Sequence, residues 1–259
     1  MSSVIQGRPC WFELFTEDSS ASQAFYSKLF GWKIQEFKKG DGPGYPMFAV
    51  KDQPIAGITK PPIPELANSW LAYIAVSSLD ETIQKIKSQN GKILHEEKMP
   101  EVGRWVVAKD LQGAFFAAFE PAPSEKAQPE LPMPTPPGFF CWHELMCKNY
   151  EEALSFYSSL FDWKKSDAID MGEMGVYQMF ARQTGPMGGM MNITPQMKFP
   201  RACWLEYVSV SNVDETIKVA QELGSQIAFP AMEVAGGGRI AGFIDPFGAM
   251  FAVWSAPQA

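Results

Sequence analysis

PCWFELFTEDSSASQAFYSKLFGW, residues 9–32, is answered by FFCWHELMCKNYEEALSFYSSLFDW, residues 139–163. Trp11, Glu13, Phe25, Tyr26, Leu29, Phe30 and Trp32 return as Trp142, Glu144, Phe156, Tyr157, Leu160, Phe161 and Trp163, each 131 positions on. Further along, GYPMFAV meets GVYQMFAR with Tyr45 and Tyr177 132 positions apart, and IAGI meets MGGM at the same spacing. Trp70 meets Trp204 at 134, and Asp110 meets Asp245 at 135. A drift this small over a whole copy admits only short loop insertions, so the chain is a tandem repeat. Between the copies, EPAPSEKAQPELPMPTPPG is too rich in proline for regular structure and favours an extended path. The reading is a first domain over 1–120, a Pro-rich linker over 121–138 and a second domain over 139–259, each domain of a usual size for independent folding.

A weaker echo runs inside each copy. Strand-like CWFELFT precedes a helix expected over Ser19–Phe30 with Gly31 as its stop, and strand-like WLAYIAV precedes a helix expected over Leu79–Gln89 ending near Gly91. Asp18, Ser19, Asp80 and Asp214 are the expected capping residues, and Gly31, Gly91 and Gly224 the terminators. Aromatic and β-branched runs with partial alternation supply the strands. The chain therefore reads as α+β, four βαβββ modules in two domains.

Composition narrows the function. Hydrophobic residues make up 46% of the 259, enough apolar surface for sizeable cores. Net charge is −7, without the clustered Lys and Arg that a phosphate backbone requires, so nucleic acid is not the expected partner. No apolar run is long enough to cross a bilayer, MSSVIQGRPC lacks the pattern of a signal peptide, and a cytoplasmic protein is expected. Cys10, Cys141, Cys147 and Cys203 have neither the number of a disulfide framework nor the CxxC spacing of a zinc or redox site; buried, reduced thiols are the plainer reading and a reactive thiol the other. No G-x-S-x-G elbow or recognisable triad supports acyl transfer.

These residues resemble the vicinal oxygen chelate superfamily of glyoxalases, extradiol dioxygenases and bleomycin-resistance proteins. The resemblance is carried by the two front segments, by SSLDETIQKIKSQNGKI and SNVDETIKVAQELGSQI, and by DLQGAFFAAFEP and DPFGAMFAVWSAP, and it covers nearly everything except the linker. It implies that paired βαβββ modules curl their mixed sheets around a cleft, which in relatives holds a divalent metal. The family histidine seven residues before the aspartate that opens the first helix would fall at Trp11 and Trp142, and the family glutamate of the last strand at Ala117 and Ala252. Neither side chain can ligate. No cofactor is therefore expected, the metal positions being lost. His95 and His143 are the chain's only histidines; the first reads as a solvated strand end and the second, by alternation, as facing away from Trp142.

Alternation places Trp11 with Glu13 and Trp142 with Glu144 on the cleft side. A carboxylate among aromatics is costly unless it meets a donor, so Glu13 and Glu144 either accept hydrogen bonds, from Arg104 or Arg239 for example, or act on a ligand as recognition group or general base. Tyr45, Met47, Trp70, Tyr73 and Phe115 are the expected lining of the first cleft, and Tyr177, Met179 and Trp204 of the second, within a methionine-rich stretch from Met171 to Met197. Glu206, matched only by Ala72, would belong to the second cleft alone. Arg104 and Arg239, read on loops entering the last strands, are either ion-paired or anion-binding, and Gly236, Gly237 and Gly238 read as a cleft rim. The expected function is binding of a small aromatic or amphipathic molecule without metal; the alternative is a lyase, isomerase or dioxygenase using Glu13 or Glu144 and an atypical metal. The expected partner is that small molecule, with neither nucleic acid nor membrane, in a monomer with pseudo-twofold domain pairing or a homodimer.

Overall fold

The computed structural model describes residues 5–38, 44–123, 131, 134–197, 199, 201–235 and 237–257. Linker positions 124–130, 132 and 133, and Gly236, lie outside the described residues. The four modules have the expected βαβββ order. The first is β1 (Pro9–Phe15), α1 (Ser19–Phe30), β2 (Lys33–Phe37), β3 (Tyr45–Val50) and β4 (Gln53–Thr59); the second is β5 (Ser69–Ala75), α2 (Leu79–Ser88), β6 (Lys92–Met99), β7 (Gly103–Lys109) and β8 (Phe115–Pro121). The third is β9 (Phe140–Cys147), α3 (Tyr150–Phe161), β10 (Lys164–Asp170), β11 (Val176–Arg182) and β12 (Gly185–Asn192); the fourth is β13 (Cys203–Ser209), α4 (Val213–Glu222), β14 (Gln226–Glu233), β15 (Arg239–Ile244) and β16 (Met250–Ser255). Each repeat contributes one eight-stranded sheet, in the orders β2-β3-β4-β1-β5-β8-β7-β6 and β10-β11-β12-β9-β13-β16-β15-β14. The sheets are mixed: the first strand of each module runs parallel to its last, as β1 to β4 and β13 to β16, and the remaining pairings within a module are antiparallel.

Helix starts follow side-chain capping, but of the four expected caps only Asp18 serves as one. Asp18 caps α1 by accepting from the Ala21 amide, but α2 and α4 are capped by Ser78 and Asn212, which accept from the Glu81 and Glu215 amides. A cap must sit in extended backbone and reach the third helical amide. Asp80 and Asp214 stand one residue inside the helix, where their charge still meets the positive helix end. Ser19 is likewise the first helical residue, not the cap. Gly31 ends α1 at φ 71°, whereas after α2 the left-handed turn falls on Asn90, φ 63°, one residue before Gly91.

By internal contacts the chain divides into two compact units that each draw on both repeats: Met1–Cys10 with Leu71–Glu130 and His143–Trp204, and Trp11–Trp70 with Leu131–Trp142 and Leu205–Ala259. In the second of these, the fully buried Tyr26 of α1 donates to Asp245 Oδ2 at 2.8 Å and accepts from Trp70 Nε1 at 2.9 Å, while Phe251 packs edge-on to Tyr26 and Phe25. The first unit repeats the device. Tyr157 of α3 donates to Asp110 Oδ2 at 2.9 Å and accepts from Trp204 Nε1 at 3.0 Å, over Phe116. Each aspartate's other oxygen closes its own Asp-x-x-Gly turn, Asp110 by accepting from the Gln112, Gly113 and Ala114 amides and Asp245 from Phe247 and Ala249. Burial raises both aspartate pKa values against these hydrogen bonds, and burial holds both tyrosines well above the ordinary phenol range. No helix among the described residues is long and apolar enough to cross a membrane.

Candidate functional site

Strand alternation splits β1 cleanly. Phe12 stacks on Phe140 at 3.8 Å, and Phe140 in turn packs on Trp32 and Trp70 of the helix-side core. Trp11 and Glu13 therefore point to the face turned away from the helix. There Glu13 lies in register with Gly57 of β4, which is itself opposite Met47 of β3. Tyr45, two residues before Met47, crosses the bare Gly57 backbone and donates from its hydroxyl to Glu13 Oε2 at 2.7 Å. Trp11 Nε1 donates to the same oxygen at 3.3 Å and to the Tyr45 hydroxyl at 3.1 Å. A Cβ on Gly57 would lie 1.6 Å from the Tyr45 hydroxyl and 2.7 Å from Glu13 Oε1, so glycine is what lets the ring lie across the strand. Glu13 is buried, and a phenol hydroxyl is a strong hydrogen-bond donor to a carboxylate. Trp11 and Tyr45 are donors to it, whereas Arg104 pairs with Asp80 and Glu96.

The third module rebuilds the frame around Glu144. Glu144 is in register with Gly189 of β12, Met179 sits opposite Gly189, and the Tyr177 ring lies so close that a Cβ on Gly189 would be 2.2 Å from it. Glu144 is buried as well. Met190 and Met191 are buried packing residues, whereas Met174 is exposed, so the methionine-rich stretch is not one continuous lining.

The helix-free faces of the second and fourth modules carry apolar clusters. On the fourth module Leu205, Tyr207 and Ala252 form a buried cluster with Trp142, Ile240 and Trp254 packed against it. On the second, Trp105 lies edge-on to Tyr73 with ring centres 6.5 Å apart and 6.4 Å from Phe119. Phe115 carries two cations, Lys109 Nζ at 5.7 Å and Arg201 at 4.9 Å from its ring centre.

Several expected lining residues sit elsewhere. Trp70 and Trp204 belong to the helix-side core, bonded to Tyr26 and Tyr157, because strand alternation puts them opposite Tyr73 and Tyr207. Glu206 shares the side of Trp204 by the same alternation, away from Leu205 and Tyr207. Arg104 and Arg239 lie within β7 and at the first residue of β15, not on loops; Arg104 pairs with Asp80 at 2.8 Å and Glu96 at 3.3 Å, and Arg239 with Asp214 at 3.0 Å. These arginines tie the start of a helix to the sheet. His95 is inside β6, not at a solvated end, with Nε2 3.3 Å from Glu97; His143 is buried in β9. Burial raises the thiol pKa of Cys147 and Cys203 to about 12 and that of Cys141 further, which leaves these thiols protonated near neutrality.

Two family models match the chain. Residues 8–49 match the bleomycin resistance protein-like N-terminal model, and residues 141–253 match that of the glyoxalase/bleomycin resistance protein/dioxygenase superfamily. The chain belongs to this vicinal oxygen chelate superfamily. Within the superfamily, a Streptomyces peucetius relative named anthracycline biosynthesis protein DnrV is 25% identical over 271 residues, 98% of this chain and 94% of its own. The Mycobacterium bovis protein CFP32, which carries a glyoxylase name, is 32% identical over 120 residues, 46% of this chain and 46% of its own length, so the match spans less than half of that relative. The Mn(II)-bound glyoxalase of Novosphingobium aromaticivorans has the same fold, with a TM-score of 0.61 at 15% identity over 100% of this chain and 84% of that one.

The superfamily's metal can be tested on the donors present. Trp11 holds its indole N–H as a donor to Glu13 and Tyr45, a role opposite to that of a ligand. Ala117 and Ala252 are fully buried side chains without donor atoms. Among the described residues no three of His, Cys, Asp and Glu gather closely enough to hold an ion. The residues present do not fit the superfamily's divalent metal shell.

Proposed function

We propose that this chain binds a small aromatic or amphipathic molecule on the helix-free faces of its sheets, without the superfamily's metal. The observation that carries the reading is the Trp11, Tyr45 and Glu13 cluster, in which indole and phenol occupy the direction of the family ligand and converge on one carboxylate. Such a group offers flat apolar surface together with a fixed acceptor, the combination that orients an amphipathic ligand. The full-length likeness to a protein named for anthracycline biosynthesis supports this, since an anthracycline is a flat, multi-ring aromatic.

A second reading has one observation in its favour. The Tyr45 hydroxyl lies 2.7 Å from the Glu13 carboxylate, close enough to pass a proton, as a lyase or isomerase base would need. Tryptophan quenching by a panel of flat ligands, repeated on Glu13→Gln and Tyr45→Phe, separates the two. Binding weakened in both variants without turnover of any ligand supports the binding protein. Binding unaltered by either removes this cluster from the site.

A further inference from the structure

We propose that His95, oriented by Glu97 on the helix-free face of the second module, accepts a hydrogen bond from the hydroxyl of a phenol-like aromatic ligand that lies against Trp105; this rests on the small-molecule reading above. His95 and Glu97 stand on the edge strand β6, His95 directly opposite Val107 and Glu97 directly opposite Trp105 of β7. Residues opposite each other in an antiparallel pair share a face, so all four look the same way. Glu96 and Arg104 look the other way, and Arg104 there meets Asp80 of α2, which leaves His95 and Glu97 on the side without the helix. Phe119 lies opposite Trp105 in turn, and Phe119 and Tyr73 flank the indole with ring centres 6.4 and 6.5 Å away.

The imidazole is set up as an acceptor. Its Nε2 lies 3.3 Å from Glu97 Oε2, and an ionised carboxylate can only accept, so in the neutral ring Nε2 carries the proton and Nδ1 the lone pair. Neither Nδ1 nor the Trp105 indole N–H has a hydrogen-bond partner among the described residues. The His95 side chain is 32% exposed and that of Glu97 52%, and Trp105 is half-buried, so a ligand reaches all three from the surface. His95 is diagonal to Trp105 across the strand pair, a separation of about 7–8 Å between backbones that aromatic side chains span. A flat indole surface beside an open ring nitrogen matches a planar ligand with one strong O–H donor. The pair is not a requirement of the fold. At the equivalent positions the fourth module has Phe229 opposite Gly242 and Met232 opposite Ile240.

The test is calorimetric titration with naphthol and with its methyl ether, which share the ring system and differ at the hydroxyl proton. The wild-type protein is expected to bind naphthol about fivefold or more tightly than the ether. His95→Phe, a side chain that the fourth module already carries at this place, is expected to lose that preference while keeping the ether's affinity. Glu97 is a positioning residue: Glu97→Gln is expected to reduce the preference, and nitrogen NMR of the imidazole to show the Nε2–H tautomer in the wild type and a weaker bias toward it in the variant. Equal binding of naphthol and ether by the wild type, a comparison that needs no variant, overturns the hydroxyl site and leaves the small-molecule reading standing. A preference that survives His95→Phe overturns the assignment to His95, and an unchanged preference and tautomer in Glu97→Gln overturns the role of Glu97. Failure of both compounds to bind while other flat ligands still quench the tryptophans removes this site alone; failure with the whole panel silent removes the small-molecule reading as well.

Discussion

Removing the Tyr26 hydroxyl tests the buried device that knits the first and fourth modules. In Tyr26→Phe two hydrogen bonds disappear, the donation to Asp245 at 2.8 Å and the acceptance from Trp70 Nε1 at 2.9 Å. The first involves a carboxylate and is worth about 1.5–3 kcal/mol; the second leaves a buried indole N–H without its acceptor, at about 1–3 kcal/mol. The ring stays in place and no cavity larger than one oxygen forms, so packing terms nearly cancel. A loss of about 3 kcal/mol follows, which for a chain of this size lowers the melting temperature by roughly 6–12 °C. Urea unfolding and calorimetry on wild type and variant read it directly. A loss under about 0.5 kcal/mol would instead mean that the hydroxyl is equally well served in the unfolded chain. Tyr157→Phe should behave alike in the other unit, and since it shares no hydrogen-bond partner with Tyr26 the two losses should add.

Further consequences concern other residues. Gly57→Ala puts a methyl against the Tyr45 hydroxyl and must displace the ring from Glu13, so its effect on ligand binding should equal or exceed that of Tyr45→Phe; a crystal structure of the variant with Tyr45 unmoved contradicts this. Asp110 and Asp245 have pKa values raised by burial, so the folded protein holds their protons more tightly than the unfolded chain. Their contribution to stability is therefore greatest at the acid end and is lost as pH rises through the folded pKa. The stability of wild type relative to Asp245→Asn should accordingly fall as pH rises above the ordinary carboxylate range, and a difference that grows with pH would contradict the sign. Asp80, held below its usual value by hydrogen bonding to Arg104, acts in the opposite direction. Cys147 and Cys203, with thiols pushed up to about 12, should alkylate at neutral pH far more slowly than free cysteine until the protein unfolds.

The four modules were legible because the repeat is written in long aromatic motifs and because strand and helix periods differ. Ser19–Phe30 could be bounded from Asp18 and Gly31 alone, both of which the structure uses. Facing was legible where one strand was considered by itself, so Glu13 and Trp11 fall together with Tyr45. It failed for Trp70, Trp204 and Glu206, which alternation along β5 and β13 assigns to the helix side. Partners distant in sequence were not legible at all: nothing in a single chain says that Tyr26 meets Asp245, 219 residues away, or that Arg201 reaches Phe115. Arg104 and Arg239 read in the sequence as either ion-paired or anion-binding, and the acids that pair them, Asp80 and Asp214, stand near helix starts more than twenty residues earlier.

On the reading proposed above, indoles and alanines stand where the superfamily's metal ligands would fall, and the chain holds no divalent ion. The most direct test is elemental analysis of the purified protein after incubation with manganese, iron, nickel and zinc salts and desalting. Each metal is expected far below one equivalent per repeat. One retained equivalent per repeat of any of them, displaced by Glu13→Gln or Glu144→Gln, would contradict that reading.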